Sequence, residues 1–358
     1  MGEPLSVGLV GAGKISQQYV TTLARLPQVA LTRVADLDPA RALALAAGLS
    51  DVRAVPVGEL MDSVDLVLNL TVPQAHAAVA VAALEAGRHV YNEKPLAASS
   101  AEARAILAAA ASAGRLVGCA PDTVLGTGVQ TARAALEAGD IGVPVAATAF
   151  MVTPGHERWH PDPEFYYQPG GGPMFDMGPY YLTALVTLLG PVVRVAGLAS
   201  TPRATRTIGD GPRAGTVFPV SVPTHQTGIL EHASGALTTL MMSFDVWAGR
   251  LPRIEVYGAD GTLSVPDPNH FDGPVHRFSG ATQEWSALPE LAGYRGAGRG
   301  TGLADLADAL RAGTAPRASA ELAYHVLDVM ECLHTAAETG AAATVASTCT
   351  IPPPVPLG

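Results

Sequence analysis

The chain has 358 residues, of which 48% are hydrophobic, so it is long and apolar enough for about two domains with large cores. The formal net charge is −10 and no cluster of Lys and Arg occurs, which excludes nucleic acid and anionic membrane surfaces as partners. Three widely spaced cysteines predict neither a disulfide framework nor a metal site. With no signal-peptide pattern and no apolar run of about 18 residues, we expect a cytoplasmic protein.

The first part of the chain alternates apolar strands with alanine-rich helical segments. Strands are predicted at residues 5–10, 30–35, 66–70, 89–91 and 116–119. Helices are predicted at residues 15–26, 39–47, 75–86 and 101–113. Because strands that alternate with helices form right-handed crossovers, residues 1–121 are predicted to form an α/β domain with a parallel sheet.

The pattern changes after Pro121, where strands and hairpins dominate. Beyond a helix at 128–138, strands are predicted at residues 145–152, 192–198, 225–232, 236–244, 253–257 and 262–265. Two helices follow, at residues 303–311 and 320–339. Residues 122–345 are therefore predicted to form an α+β domain with a large, mostly antiparallel open sheet. Residues 346–358 are predicted to be a proline-rich tail, either extended or disordered.

A glycine-rich turn joins the first strand to the first helix in the sequence VGLVGAGKIS. Gly11 permits a tight turn, and Gly13 lets the backbone approach a pyrophosphate. The helix that begins near Lys14 and Ile15 offers N–H groups and a positive dipole to that anion. Ser16 replaces the third glycine of the G-x-G-x-x-G motif. Because the motif follows a strand and opens a β-α-β unit, it predicts a dinucleotide-binding domain of the Rossmann type.

The choice of dinucleotide depends on Asp36, which ends the second predicted strand 23 residues after Gly13. An acidic side chain there can accept hydrogen bonds from both hydroxyls of the adenosine ribose, and it would repel a 2′-phosphate. NAD is therefore the predicted cofactor. Arg33 and Arg41 are near in sequence and either can bend toward a phosphate, so NADP stays an alternative.

Three further motifs carry a resemblance to a known family. They are NLTVPQAH at 69–76, NEKPL at 92–96 and GGGPMFDMGPYY at 170–181. With these motifs the chain resembles the Gfo/Idh/MocA oxidoreductases, such as glucose–fructose oxidoreductase and inositol dehydrogenase, over nearly its whole length. The resemblance implies that the second domain binds substrate and forms oligomers.

The resemblance also implies further residues of the cofactor site. Thr71, Pro73 and His76 of the first motif would contact the cofactor. Glu93 and Lys94 of the second motif would do the same, and Lys94 would also contact the substrate.

Lys94 is unusual in the composition too, because only two of the 22 basic residues are lysines. The other is Lys14. In such an arginine-rich chain, a lysine that persists indicates a task that a guanidinium cannot perform, since only the ammonium has a pKa that is readily tuned.

The resemblance assigns the catalytic chemistry to Asp176 and Tyr180 together with Lys94, although most family members have His in place of the tyrosine. Removal of an alcohol proton at neutral pH is difficult for a tyrosine of pKa about 10, and a neighbouring ammonium favours the phenolate. A spacing of four puts Asp176 and Tyr180 on one face of a helix. Pro179 predicts a kink or a helix start there, and Tyr181 is the rival base.

Substrate contacts are predicted from a polar and aromatic segment after the strand at 145–152. There Trp159 can stack on the apolar face of a sugar, and His160 can bond hydroxyls. Family members usually have an Arg-containing segment where this chain has Asp122, so Asp122 is expected to make different hydroxyl contacts. Asp176 and Tyr180 complete the predicted set.

Together these features predict an NAD(P)-dependent dehydrogenase that acts on a secondary alcohol of a sugar, glycoside or cyclitol. One alternative is a glycosidase that uses tightly held NAD to oxidise C3 transiently. A second is a non-catalytic sensor of sugar and NAD, although such a protein would be expected to lose Lys94 and Asp176. Because hairpin sheets need cover, we expect a homodimer or homotetramer formed through the sheet of the second domain.

Overall fold

The computed structural model describes residues 3–358, which form two compact units. The first unit contains the chain up to Leu125 and also Gly296–Leu327, and the second contains Gly126–Arg295 and Asp328–Gly358. The division predicted from sequence was linear, with boundaries at residues 121 and 345. The observed division differs because a late segment of the chain returns to the first unit.

The first unit is built on a six-stranded sheet. Its strands are β1 (Leu5–Val10), β2 (Val29–Ala35), β3 (Arg53–Ala54), β4 (Leu66–Asn69), β5 (His89–Asn92) and β6 (Val117–Cys119). All pairs are parallel, in the order β3-β2-β1-β4-β5-β6. The predicted α/β domain with a parallel Rossmann sheet is therefore confirmed. Only β3 was not predicted, because two residues are too short to show a pattern.

Five helices connect these strands. They are α1 (Ser16–Leu23), α2 (Pro39–Ala47), α3 (Val57–Ser63), α4 (Pro73–Glu85) and α5 (Ser100–Ala113). Side chains cap the start of two of them; at α2 the Asp38 carboxylate accepts from the N–H of Ala40 at 3.0 Å. Gly114 ends α5 with a left-handed φ of +62°.

The core of the first unit explains why the chain returns to it. Leu9 on β1 and Leu68 on β4 are fully buried. The same apolar cluster includes Leu303 and Leu306 of the later helix α8 (Thr301–Ala312), although the sequence places them far from the sheet. Burial of one leucine side chain contributes about 1.5–3 kcal/mol, so the sheet gains cover that its own crossover helices do not supply.

The second unit has a nine-stranded sheet, a separate two-stranded sheet and the helices α6 (Thr127–Glu137) and α7 (Gly172–Leu189). The helix α9 (Ala320–Thr339) begins in the first unit and continues into the second. The strands are β7 (Pro144–Val152), β8 (Val192–Ser200), β9 (Thr205–Thr207), β10 (Val217–Pro219), β11 (His225–His232), β12 (Leu237–Ser243), β13 (Ile254–Gly258), β14 (Gly261–Val265), β15 (His276–Ser279), β16 (Glu284–Ala287) and β17 (Ala343–Thr344).

The large sheet has the order β16-β15-β14-β13-β7-β12-β11-β8-β17. Only β7 and β12 pair in parallel, and every other neighbour is antiparallel. The predicted large, mostly antiparallel sheet is confirmed. The strands β15 and β16 were not predicted, because neither has a fully buried face that would give an alternating pattern.

Helix α7 covers one face of this sheet, in contact with β7, β11 and β12. Its residues Leu182 and Leu185 are fully buried. Gly178 leaves room for two methionine side chains, since a Cβ there would lie 3.0 Å from the sulfur of Met330 in α9 and 3.2 Å from that of Met174 in α7 itself. The packing fixes the helix that carries the predicted residues Asp176 and Tyr180.

The proline-rich end of the chain is extended and packs within the second unit. Val355 is fully buried, and its N–H donates to the Gln130 side chain at 2.9 Å. Its carbonyl accepts from the N–H of Gly293 at 3.0 Å. Across residues 3–358, none of the helices combines the length and hydropathy that crossing a bilayer requires.

Candidate active site

Four of the predicted cofactor residues follow the carboxyl ends of the parallel strands. Gly11 comes directly after β1, Asp36 after β2 and Glu93 after β5, while Thr71 lies two residues beyond β4. Because the carboxyl ends of parallel strands meet at one edge of the sheet, these groups share that edge. In open α/β sheets this is the edge where ligands bind, at the point where the strand order reverses.

The two glycines of the first turn differ in what their missing side chains allow. Gly11 has a φ of +101°, and a Cβ there would lie 2.7 Å from the carbonyl carbon of Leu70, so any side chain would collide with backbone. A Cβ on Gly13 would meet nothing within 4 Å. Packing within the protein therefore does not require glycine at position 13, and the open space fits the approach of a pyrophosphate.

The start of α1 shows how this chain replaces the third glycine of the motif. The Ser16 hydroxyl donates to the carbonyl of Gly13 at 2.6 Å, and its backbone N–H reaches the same oxygen at 3.1 Å. Ile15 is the N-cap, and Lys14 is exposed beside it. The serine therefore closes the turn itself while it remains buried.

The carboxylate of Asp36 is held in place by two backbone groups. One oxygen accepts from the N–H of Ala12 at 2.7 Å, and the other accepts from the N–H of Asp38 at 2.8 Å. A carboxylate has about four acceptor positions, so these bonds orient Asp36 and leave capacity for ribose hydroxyls. The bond to Ala12 also ties Asp36 directly to the glycine turn.

Two asparagines that sequence reasoning did not single out organise the same edge. Asn69 and Asn92 are register partners at the ends of β4 and β5, and the amide of Asn69 donates to the amide oxygen of Asn92 at 3.0 Å. Asn69 accepts from the Thr71 hydroxyl at 2.7 Å, and Asn92 donates to the carbonyl of Leu96 at 3.0 Å. These hydrogen bonds therefore hold the loops that follow β4 and β5 in place. The sequence feature that could have revealed them is an asparagine at the end of each of these two strands.

His76 lies below the site rather than in it. It is fully buried in α4, which begins at Pro73, and its Nδ1 lies 2.7 Å from the carbonyl oxygen of Pro95. Its Nε2 lies 3.1 Å from the carbonyl oxygen of Thr71. Burial lowers the pKa of the imidazole. Because both ring nitrogens face backbone, we assign His76 to support of the two loops and not to contact with the cofactor.

Glu93 and Lys94 follow β5 with different surroundings. The Glu93 carboxylate is buried, and it accepts from the Tyr19 hydroxyl at 2.9 Å and from the N–H of Lys94 at 2.7 Å. The burial of Tyr19, and after it the Glu93 carboxylate, raises the pKa of that phenol. Lys94 itself is half-buried. Glu93 thus anchors the backbone from which the lysine projects.

Asp122 is an internal helix cap. It is fully buried in the first unit, and its Oδ2 accepts from the N–H groups of Gly300 and Gly302 at 2.9 Å each, at the start of α8. Burial raises the pKa of Asp122 from 3.8 to about 6, although the two N–H groups and Arg299 favour the charged form. We therefore remove Asp122 from the proposed substrate contacts.

Helix α7 carries both predicted proton-transfer residues. Asp176 lies in its second turn and Tyr180 one turn later, so the expected common face is present. Pro179 lies inside the helix, which begins earlier, at Gly172. Asp176 keeps 17% of its side chain exposed, whereas Tyr180 is 5% exposed.

The rival base, Tyr181, points into the second unit. It is fully buried, and its hydroxyl lies 3.5 Å from Oδ1 of Asp267. Burial, with the nearby carboxylate, raises the pKa of Tyr181, although Arg253 opposes the shift. A raised pKa is the opposite of what a base requires, which argues against Tyr181 in that role.

A histidine that sequence reasoning did not select is paired with Asp176. Nε2 of His156 lies 3.0 Å from Oδ2 of Asp176, and only 12% of the histidine side chain is exposed. The two residues are far apart in sequence, and no spacing rule connects them. The only signal was a polar residue in an aromatic segment.

The segment after β7 forms an aromatic cluster around this histidine. Trp159 is 55% exposed and lies edge-on to His156, with ring centroids 5.3 Å apart. His160 lies 5.4 Å from the ring of Trp159, and its Nδ1 accepts from the N–H of Asp162 at 3.0 Å. The exposed indole face is therefore available to a ligand on the second unit.

A buried ion-pair network holds the base of this segment. Arg206 has 1% of its side chain exposed and binds Glu157 at 3.0 Å and Asp245 at 2.6 Å. Tyr167 donates a very short hydrogen bond to Glu157, and the N–H of His156 donates to the Tyr167 hydroxyl at 3.1 Å. The backbone at His156 is thus anchored in the interior of the unit.

Two family models match the chain. Residues 5–120 match an oxidoreductase family with an NAD-binding Rossmann fold, and residues 129–264 match the GFO/IDH/MocA C-terminal domain. One match falls in each of the two domains that were predicted from the sequence.

Individual relatives match over most of their length. The dTDP-3,4-didehydro-2,6-dideoxy-alpha-D-glucose 3-reductase of Streptomyces antibioticus is 29% identical, over 78% of this chain and 89% of that protein. The D-xylose 1-dehydrogenase (NADP(+)) 2 of Haloferax volcanii is 28% identical, over 94% and 98%. The crystal structure of an NAD binding oxidoreductase from Klebsiella pneumoniae matches with a TM-score of 0.82 and 23% identity, over 97% of this chain and 100% of that one.

Proposed function

Because the chain belongs to the GFO/IDH/MocA oxidoreductase family, we propose that it transfers a hydride between NAD and a secondary alcohol of a sugar, glycoside or cyclitol. The first unit is an NAD-binding Rossmann domain. The named relatives are a sugar-nucleotide reductase and a D-xylose dehydrogenase. The observation that carries the proposal is Lys94, half-buried beside the anchored Glu93 at the carboxyl edge of the sheet.

The turn after β1 fits a dinucleotide, and bound NAD would supply the hydride acceptor. Gly13 leaves open space for the pyrophosphate at the start of α1. The oriented carboxylate of Asp36 can accept from both ribose hydroxyls and would repel a 2′-phosphate, which favours NAD over NADP. Thr71, held by Asn69, would contact the cofactor from the β4 loop.

Lys94, Asp176 and Tyr180 would perform the proton chemistry. The Lys94 ammonium would polarise the substrate oxygen and stabilise the charge that develops when its proton leaves. Tyr180 would accept that proton, and Asp176 would hold a neighbouring hydroxyl. The anchoring of Glu93 supports this role for the lysine, because a fixed backbone limits the positions of its ammonium.

The aromatic segment would provide the sugar-binding surface. The exposed indole of Trp159 can stack on the apolar face of a pyranose or cyclitol, and His160 can bond hydroxyls beside it. The aromatic rings and the hydrogen-bonding side chains of this surface fit the apolar face and the hydroxyls of a polyol.

The second unit also favours self-association. The outward face of the large sheet exposes Leu198, Ile229 and Leu237, with 69%, 45% and 49% of these side chains accessible. They lie on the neighbouring strands β8, β11 and β12, so they form one apolar patch. A patch of this kind on an open sheet fits a subunit interface, and we propose a homodimer or homotetramer formed through it.

Activity measurements test the function directly. A panel of sugars, glycosides and cyclitols is incubated with NAD and separately with NADP, and reduced cofactor is followed by absorbance. The proposal expects net NADH formation with at least one polyol. Hydrolysis of a glycoside without net NADH would instead indicate transient oxidation, and cofactor binding with neither reaction would indicate a sensor.

Replacement of Lys94 tests the proposed chemistry. Lys94→Ala is expected to reduce kcat by about 100- to 1,000-fold, because a preorganised charge at the developing oxyanion is lost. NAD affinity, measured by calorimetry, should change only modestly. Lys14→Ala serves as the contrast, since it should weaken NAD binding and leave kcat close to wild type. Full activity of Lys94→Ala would refute the catalytic assignment.

A further inference from the structure

We propose that His156 is a positioning residue, which holds the carboxylate of Asp176 in the orientation that binds the substrate hydroxyl. The inference rests on the proposed function, in which Asp176 belongs to the substrate site. Its basis is the 3.0 Å contact between Nε2 of His156 and Oδ2 of Asp176.

An aspartate needs such a partner because its last torsion is soft. The rotation of a carboxylate about χ2 has broad minima, unlike the staggered torsions closer to the backbone. Helix α7 fixes where the Asp176 Cβ lies, but it does not fix the plane of the two oxygens. A donor on one oxygen sets that plane, and with it the direction of the acceptor positions.

The histidine is itself held on several sides. Its ring lies 4.4 Å from Phe244 and 4.5 Å from Tyr166, measured between centroids, with Trp159 at 5.3 Å. Its backbone N–H donates to Tyr167 at 3.1 Å. These contacts hold the ring with Nε2 directed toward Asp176.

The other ring nitrogen indicates which nitrogen of His156 carries the proton. Nδ1 of His156 is buried and has no hydrogen-bond partner among the described residues. A buried N–H without an acceptor is costly, so the proton is expected on Nε2, where Asp176 accepts it. Because both side chains are mostly buried, at 12% and 17% exposure, solvent screens this bond weakly.

Paired substitutions at position 156 separate positioning from simple packing. His156→Leu fills similar space without a donor and is expected to lower kcat/KM about 10- to 100-fold, which is the range that hydrogen bonds to charged groups contribute. His156→Gln places an amide donor at a reach similar to that of Nε2 and should recover most of the lost kcat/KM. His276→Leu, on β15 of the same unit, should behave as wild type.

Two kinetic results would overturn the proposal. If the leucine and glutamine variants lose activity equally, or if neither loses any, the donor is irrelevant. If the leucine variant loses activity because it is unfolded, the NMR experiment decides whether His156 and Asp176 are paired.

Nitrogen NMR of labelled histidines decides the pairing without any activity. In the wild-type protein Nε2 of His156 should be protonated, and its shift should change in Asp176→Asn, where the charged acceptor is gone. A proton on Nδ1, or a spectrum that Asp176→Asn leaves unchanged, would contradict the inference. If NMR shows the hydrogen bond from His156 to Asp176 but the wild-type protein oxidises no polyol, the proposed function is wrong while the hydrogen bond between the two residues stands.

Discussion

At the scale of single residues, the structure separates partly exposed polar side chains at the strand ends from buried polar side chains that hold others in place. Asp36 and Lys94 follow strand ends and keep acceptor capacity or partial exposure. The sequence also predicted His76 and Asp122 as contacts of the cofactor and the substrate, yet both are fully buried and lie within hydrogen-bond distance of backbone groups. The difference is burial, which a linear pattern does not reveal for an isolated polar residue.

Asp122 should make stability depend on pH. Its folded pKa is about 6, raised from 3.8. Between these values the folded state keeps a proton that the unfolded state has lost, so the free energy of unfolding should fall as pH rises, by about 3 kcal/mol in total. Asp122→Asn cannot ionise and should lack this fall, although its amide oxygen can still cap α8.

Urea unfolding of both proteins between pH 4 and 7, followed by circular dichroism, measures this difference. The difference between the two proteins, and not either curve alone, reports on Asp122. A constant gap between wild type and Asp122→Asn across the pH range would mean that the carboxyl does not carry the expected shift.

At the scale of elements, α7 shows how packing overrides a local rule. Its internal Pro179 removes one backbone hydrogen bond and its ring crowds the preceding turn, which together cost roughly 3 kcal/mol or more. The helix persists because nearly all of its later residues are buried against the sheet. The same packing keeps Asp176 and Tyr180 on one face.

The close approach at Gly178 provides a test of that packing. A Cβ there would lie 3.0 Å from the sulfur of Met330, and a valine would press further into both methionines. Gly178→Val should therefore lower stability by about 1–3 kcal/mol. Gly58→Ala, in α3 where a Cβ meets nothing within 4 Å, should be neutral or slightly stabilising. Equal effects of the two substitutions in urea unfolding would contradict the packing argument.

At the scale of the whole molecule, one chain supplies two units by crossing between them more than once. The return of residues 296–327 places α8 in the core of the first unit. The second unit leaves one sheet face with exposed apolar side chains. Both features follow from the need to cover apolar sheet surface, in one case by this chain and in the other, as proposed, by a second copy.

The proposed interface is tested by a charge on the exposed patch. Ile229→Asp should convert the oligomer to a monomer in light scattering, because a carboxylate buried at a subunit interface loses its hydration. Since Ile229 is 45% exposed in the single chain, the fold should tolerate the change. Leu43→Asp, at the exposed surface of α2, should leave the mass unchanged. A monomeric wild type, or an unchanged mass of Ile229→Asp, would refute the interface.

Local pattern determined much of this protein from its sequence. Alternating strands and helices predicted the parallel sheet, and the glycine turn with Asp36 predicted the dinucleotide edge, because these signals join residues that are neighbours along the chain. The tertiary structure alone decided that Asp122 caps a distant helix, that α8 returns to the first core and that His156 meets Asp176. Contacts of this kind are decided by packing between segments far apart in sequence, and no spacing rule records them.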